Sequence, residues 1–386
     1  MAPLAPQRRR LPFLNPYPLC PAGMEVTVCI CTYNRPNYVR DCLAGLARQT
    51  ASPDQFAILI VDSGSTGETP AELVRLAASA NATLLRLESP GASFARNAGA
   101  QSCRTPYIAY IDDDAIPAPD WIEHIVAALA ETPPPAIIGG RALPIWEAPL
   151  PAWWPQSLRE ILSIIEAEGQ GSYGDPGLPA NLAPYTVNMV ASVVQLFAAG
   201  GFATTVGRFG NALLSDEDVQ LAWHLRNAGL PVRYDSRIVV YHQIQAERLT
   251  PAWLLSRLYW QGASTVLTRR LLNCHMDVWR ELPRRLAVAL LCAPFALLPR
   301  TSPRLIGARW RFAYALGFVR AALGWHAGTT AHRCGTPPDA NDPTHISVRT
   351  GANFIARYCA PPDSMAPDTG DTGEPCHAGM TDTSRT

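Results

Sequence analysis

In the first part of the chain, short apolar runs alternate with segments whose apolar residues recur every third or fourth position. VTVCICTYNRP, from Val26, is a β-rich run ending in turn residues. NYVRDCLAGLARQ follows it, with Val39, Leu43 and Leu46 spaced as one face of a helix. FAILIVDSGSTGETP repeats the pattern, running from a near-continuous apolar strand through an Asp/Ser/Gly loop into the helical PAELVRLAAS. The strand ATLLRLES, the loop and helix of PGASFARNAGAQSC, and the strand PYIAYIDDDA complete the series. Four βα units in about a hundred residues predict a parallel sheet with helices on both faces. Ligands of such sheets bind beyond the carboxyl ends of the strands. TYNRP, DSGSTGE, PGASFARNAG and DDDA all fall at that edge.

Farther on, WIEHIVAALAE predicts a helix and AIIGGRALPIW a strand, after which periodicity weakens through a Trp- and Pro-containing segment to Ala183. It returns in LLSDEDVQLAWHLRNAGL, a helix closed by Gly229, and in the strand PVRYDSRIVVYHQ. Two helical stretches are expected next, from Trp253 to Leu272 and from Arg284 to Trp325. From about Gly328 the chain is rich in Thr, Pro, Asp and Gly and poor in apolar residues, which predicts a mostly disordered tail.

Composition narrows the class. With 386 residues, 48% hydrophobic content and a mean hydropathy of +0.01, the chain reads as globular. The 32 basic residues, all arginine, balance 32 acidic ones, so nucleic acid is not an expected partner. Absence of lysine with abundant Ala and Pro is what a GC-rich, bacterial genome produces. The ten cysteines include no C-x-x-C pair and no zinc spacing, and are expected as buried free thiols of a reducing cytosol. Residues 1–24 have arginines but no apolar stretch after them, and read as a Pro/Arg-rich arm rather than a signal peptide.

Three aspartates close the fourth strand. Extended backbone would send Asp112 and Asp114 to the same side, where they repel unless a cation neutralises them. A hard divalent ion such as Mg²⁺ or Mn²⁺ takes one or two such oxygens from protein and others from substrate phosphates. The alternative is a solvated acidic turn closed by Pro117 and Pro119.

VTVCICTYNRP, LIVDSGSTGET, GASFARNAG, YIAYIDDDAIPAPDWI and SDEDVQLAWHLRNAG, in that order and spacing, resemble the family 2 inverting glycosyltransferases of the GT-A fold. The resemblance covers roughly Val26 to Leu267. It implies an α/β fold: a GT-A type nucleotide-binding sheet, mostly parallel with helices on both faces, and a C-terminal helical extension. Residues 25–267 would be the GT-A domain, 268–327 the helical extension and 328–386 the tail.

The same resemblance implies a nucleotide-diphosphate sugar donor, a divalent Mn²⁺ or Mg²⁺, and a glycan or lipid-linked acceptor. Thr32, Asn34 and Arg35 would border the nucleotide, Asp62 would pair with its base, and Arg96 and Asn97 would lie beside the diphosphate and ribose. Asp112 would sit near the ribose and Asp114 on the metal, with Asp113 counted among the nucleotide-sugar-binding residues but given no separate job. His242 would complete the metal's coordination, and Arg248 could face the diphosphate. Asp218, with Glu217 beside it, would act as general base on the acceptor hydroxyl. The bland readings are an Asx-turn for Asp62, a surface charge for Arg96, a structural hydrogen-bonder for His242, and a capping box of Ser215 with Asp218. Asn188 matches an acceptor-side position, but its surroundings are apolar.

LAVALLCAPFALL, from Leu286 to Leu298, is too short and too Pro-broken to cross a bilayer. Together with the basic, aromatic IGARWRFAYALGFVRAALGW it fits either an interfacial helix or a helical hairpin packed on the catalytic domain. The expectation is a cytoplasmic enzyme in peripheral contact with the inner face of the plasma membrane. Two other classes compete with transfer of a sugar: a sugar nucleotidyltransferase, although TYNRP lacks the glycines of a triphosphate loop, and a non-catalytic glycan- or nucleotide-binding relative.

Overall fold

The computed structural model describes residues 25–179, 182–208, 212–296, 298 and 305–324, so the expected arm and tail lie outside the described residues. The predicted βα units form. Strands β1 (Val26–Thr32), β2 (Phe56–Ser63), β3 (Thr83–Leu87) and β4 (Tyr107–Asp112) are parallel in the order β3-β2-β1-β4. Helices α1 (Pro36–Leu46), α2 (Thr69–Ser79) and α3 (Ala92–Ser102) connect them. Val26, Val28 and Ile30 of β1 and Ile108 and Ile111 of β4 are buried, as the near-continuous apolar runs of a sheet covered on both faces require. Thr32 is level with Asp62, and Cys31 with Asp112, so the polar ends of three strands meet at one edge.

Beyond β4 the sheet is mixed. Among the described residues its path continues through β8 (Asn188–Ser192), β6 (Ile137–Trp146), β9 (Val232–Ile244) and β5 (Ala115–Pro117), with β7 (Gln170–Ser172) also on β9. β8 is antiparallel to β4 and comes from the stretch where sequence periodicity had faded. Its five residues are too few to carry a pattern of their own. Gly140 in β6 permits the crossing: a Cβ there would stand 2.1 Å from the Ile238 carbonyl oxygen and 2.5 Å from Asn188 Nδ2. Helix α4 (Trp121–Leu129) packs on β9. With helices packed against a mixed sheet, this is the α/β class that the sequence pattern predicts.

Two short helices follow, α5 (Val193–Ala198) and α6 (Glu217–Asn227). Gly229, at φ +74, ends α6 as expected, with the Gly229 and Leu230 N–H groups closing its last carbonyls.

Among the described residues three long helices come last: α7 (Pro251–Leu271), α8 (His275–Ala296) and α9 (Ile306–Ala322). The expected domain boundary after residue 267 falls inside α7. The stretch expected as one helix from Arg284 is two, and α8 already begins at His275. Pro283 forfeits a backbone bond inside α8, but Val278 and Leu282, buried in one cluster with Phe318 and Val319, hold the turns before it. The cysteine expectation holds for Cys29, Cys42 and Cys103, which are buried free thiols; Cys274 departs from it in being disulfide-bonded.

Close contact between α7 and α9 depends on two glycines. A Cβ at Gly317 would lie 1.8 Å from the Tyr259 carbonyl oxygen, and one at Gly262 would lie 2.1 Å from that of Tyr314. Both obstacles are backbone, which cannot swing aside. Gly317→Ala is expected to destabilise the protein by about 1–3 kcal/mol. Gly177→Ala, where nothing lies within 4 Å, is the neutral control. Equal denaturation midpoints for the two variants would contradict this packing.

Candidate active site

β4 ends at Asp112, and Asp113 and Asp114 form a turn before β5. Strand alternation stops there, so the expected same-side pair of Asp112 and Asp114 is replaced by a different grouping. Asp113 and Asp114 converge on Arg35, whose NH2 donates to Asp113 Oδ1 at 2.5 Å and whose NH1 donates to Asp114 Oδ2 at 2.9 Å. Thr32 Oγ1 donates to the other Asp113 oxygen at 2.7 Å. Asp112 stays partly exposed and lies 3.5 Å from Arg96. Burial pushes the Asp113 carboxyl up to about 7, with Arg35 opposing and Asp114 adding to the shift. The same burial acts on Asp114, but His242, Arg248 and Arg35 overcome it and hold that carboxyl well below the usual range.

Asp114 is the hub. Its Oδ2 also accepts from Gln245 Nε2 at 2.9 Å and from Arg248 NH2 at 2.8 Å. The β5–β9 ladder sets Ala115 opposite His242, and the Gln243 N–H donates to the Asp114 carbonyl at 2.7 Å. Asp114 Oδ1 is therefore carried to 3.3 Å from His242 Nε2, and it is buried without a hydrogen-bond donor. A carboxylate oxygen and an imidazole nitrogen facing one another suit Mn²⁺ or Mg²⁺ as a two-ligand site. Among the described residues no group of three or more His, Cys, Asp or Glu could hold a metal. Further ligands would have to come from substrate phosphates or water.

Arg96, one turn into α3, links this cluster to the second acidic motif. Its NH1 donates to Glu217 Oε1 at 2.5 Å, NH2 faces Asp112, and the guanidinium lies over the Phe202 ring. The surface-charge reading of Arg96 fails, since it is 9% exposed. Asp216 precedes α6 in the left-handed region at φ +78, and that twist turns Glu217 and Asp218 inward, where both are buried. No capping box forms. Ser215 Oγ donates to Asp216 Oδ1, while Asp218 accepts from the Thr186 N–H at 3.1 Å and the Val219 N–H at 2.9 Å. Burial, then the charge of Glu217, push Asp218 up to about 7 against Arg96 and those two N–H groups.

Other expected residues sit nearby with different commitments. Asn34, at φ +56, ties two loops together by accepting from the Thr66 N–H, while its own N–H donates to Ser65 Oγ. Asp62 braces its loop, though not as the two-residue Asx-turn: it accepts from the Ser65 N–H, three residues on, at 2.9 Å, and leaves its second oxygen buried without a hydrogen bond, 3.7 Å from Arg86. Asn97 does not face the cluster: its amide is taken up on both sides by the Phe202 backbone. Asn188 is likewise structural, donating to the Arg141 and Ile238 carbonyls and accepting from Trp121 Nε1.

Sequence reasoning missed Gln245, Arg257 and Gln261. Gln261 Nε2 donates to both Asp216 oxygens at 3.0 Å, and Arg257 NH2 donates to Ser215 Oγ. Both lie one turn apart on the α7 face turned to the acidic motif. That signal exists in the sequence, but only a known partner for α7 makes it readable.

Residues 27–178 match the family described as Glycosyl transferase family 2. Among curated relatives, the Glucosyl-dolichyl phosphate glucuronosyltransferase of Haloferax volcanii is 26% identical over 245 residues, 62% of this chain and 76% of that protein. The Pre-mycofactocin glycosyltransferase of Mycobacterium tuberculosis is 26% identical over 253 residues, 66% of this chain but only about half of the relative's length (49%). A solved structure of the mannosyltransferase PcManGT from Pyrobaculum calidifontis, in complex with GDP-Man and Mn2+, is 18% identical at a TM-score of 0.48, covering 88% of this chain and 83% of that one. Over residues 27–178, then, the chain is similar to the family 2 glycosyltransferases.

Because Gln261 holds Asp216 in its twist, Gln261→Ala should loosen the acidic pair without touching the strand-end cluster. Turnover in sugar transfer is expected to fall about a hundredfold, as for other small misplacements of catalytic groups, while nucleotide affinity stays within about twofold. Unchanged turnover would separate Asp216 geometry from α7.

Proposed function

We propose that the protein is a metal-assisted, inverting hexosyltransferase that moves a sugar from a nucleotide-diphosphate donor to an acceptor hydroxyl. The observation that carries the reading is two adjacent ion-pair sets, Arg35 with Asp113 and Asp114 and Arg96 with Asp112 and Glu217, with Asp218 buried beside the second. Asp114 and His242 would hold Mn²⁺ or Mg²⁺, which supplies neutralisation of the departing diphosphate. Thr32, Asn34, Arg35 and Asp62 would receive the nucleoside, and Asp112 the ribose. Arg96 holds Glu217 as a fixed counter-charge, which keeps Asp218 at a proton affinity suited to a general base near neutrality.

Asp218 would accept the proton of the acceptor hydroxyl while that oxygen forms a bond to the anomeric carbon. The bond from that carbon to the diphosphate oxygen breaks on the opposite side, so the configuration inverts. The name of the Haloferax relative, a glucosyl-dolichyl phosphate glucuronosyltransferase, supports a lipid-linked acceptor. Cell-surface polysaccharide or glycolipid would then be the product class, and the inner face of the membrane the place of work.

Asp114→Ala and Asp218→Asn should each lower turnover by about 10²–10⁴-fold. Nucleotide affinity should survive Asp218→Asn, as measured by titrating UDP-, GDP- and dTDP-sugars with and without Mn²⁺. Full activity in Asp218→Asn would remove the base assignment.

The pH profile gives an independent check. Asp218 must be ionised to accept a proton, so kcat should rise with pH to a plateau above about 7, with one proton lost on the way. Burial and the charge of Glu217 oppose the ionised form, while Arg96, Arg257 and the Thr186 and Val219 N–H groups favour it. A profile flat from pH 5 to pH 8 would mean another group takes the proton.

A further inference from the structure

Of the two segments that could be interfacial helices, only one is free to be so. α9 is used internally: Ala315, Phe318, Val319 and Ala321 are buried, and Gly317 abuts the backbone of α7. α8 is different. Val278 and Leu282 anchor its first half, whereas Met276, Trp279, Leu286, Leu290, Leu291 and Phe295 are exposed, Leu290 and Leu291 each to 74%. Such a concentration of large apolar side chains on one element is not the scatter of an ordinary surface.

Charge indicates what covers it. Residues 282 to 324 contain seven arginines and no acidic residue, in a chain whose basic and acidic residues otherwise balance. Some are committed: Arg285 pairs with Glu281, and Arg309 donates to the Phe295 and Leu298 carbonyls. Arg280, beside Trp279, is 73% exposed. Leu286, Leu290, Leu291 and Phe295 fall inside that acid-free stretch, and the acidic residues nearer the start of α8 are paired, Asp277 with Arg280 and Glu281 with Arg269 and Arg285. Such a strip is complementary to a surface with negative headgroups above hydrocarbon, and not to a second copy of the same basic segment. The apolar run of α8 is too short to cross a bilayer, and no described helix is long and apolar enough to do so.

We propose that the exposed face of α8 seats the protein on an anionic bilayer, with Leu290, Leu291 and Phe295 at the level of the acyl chains and the neighbouring arginines on lipid phosphates. α8 is joined through α9 to α7, whose Arg257 and Gln261 hold the acidic motif. Seating α8 therefore fixes the candidate site at a set height above the lipid. The inference deepens the proposed transfer to a lipid-linked acceptor, but its test does not depend on catalysis.

Full-length protein is floated with vesicles of phosphatidylcholine alone and of phosphatidylcholine mixed with phosphatidylglycerol. It should bind the mixed vesicles, release in high salt, and bind the neutral ones weakly. Leu290→Glu combined with Leu291→Glu should weaken binding by about tenfold or more, with the thermal midpoint unchanged because both side chains are exposed. Absence of wild-type binding, or equal binding by the double variant, would overturn the proposal. So would a wild-type dimer in light scattering that the double variant turns into monomer, since the face would then belong to a second copy. Donor binding measured on the same samples keeps failure of this proposal distinct from failure of the glycosyltransferase reading.

Discussion

Seven carboxylates of this protein lie at or next to one sheet edge, and Asp62, Asp113, Asp114, Glu217 and Asp218 are nearly removed from water; like charges cannot share such a place unless cations are built in with them. Arg35 and Arg248 serve Asp113 and Asp114, and Arg96 serves Asp112 and Glu217. Removing one member of a buried pair leaves an uncompensated charge at a cost of about 3–5 kcal/mol. The geometry of the loops is accordingly not free to drift. Arg35 follows β1, Arg96 lies in α3 and Arg248 follows β9, so the electrostatic constraint also ties the ends of β1 and β4 to α6, more than a hundred residues later.

The constraint sorts the carboxylates by proton affinity. Asp114 lies against Arg35, Arg248 and His242, which overcome its burial and hold its carboxyl well below the usual range. Asp218 has the fixed negative charge of Glu217 beside it and is pushed the other way, towards the range of a useful base. Two side chains of the same type thus acquire opposite tendencies from their neighbours alone. The separation rests on Arg96 being shared, because its contact with Glu217 is what keeps that negative charge in place next to Asp218.

Support for the acidic motif comes from outside the sheet. Asp216 adopts a backbone conformation that few residues other than glycine adopt, and hydrogen bonds from α7 hold it there. The three C-terminal helices are therefore part of the site's scaffold and not an appendage. Their packing in turn relies on Gly262 and Gly317, where backbone meets backbone.

The sequence by itself determined the βα series, its boundaries to within three residues, and the edge at which the polar loops gather. Those features follow from periodicity and from turn chemistry, which act over a few residues. It also singled out Asp114, His242, Arg96 and Asp218 as belonging to one place. Tertiary structure decided the rest. Whether Asp112 or Asp113 accompanies Asp114 depended on where strand geometry stops, which the ladder between β5 and β9 sets. That Asn97 and Asn188 brace backbone rather than face the cluster depended on what each amide meets across the core. Gln245, Arg257 and Gln261 acquired their partners only when distant segments closed on the site. Of two similar apolar, arginine-flanked segments, α9 became core and α8 stayed exposed because only α9 presents a glycine against which α7 can pack.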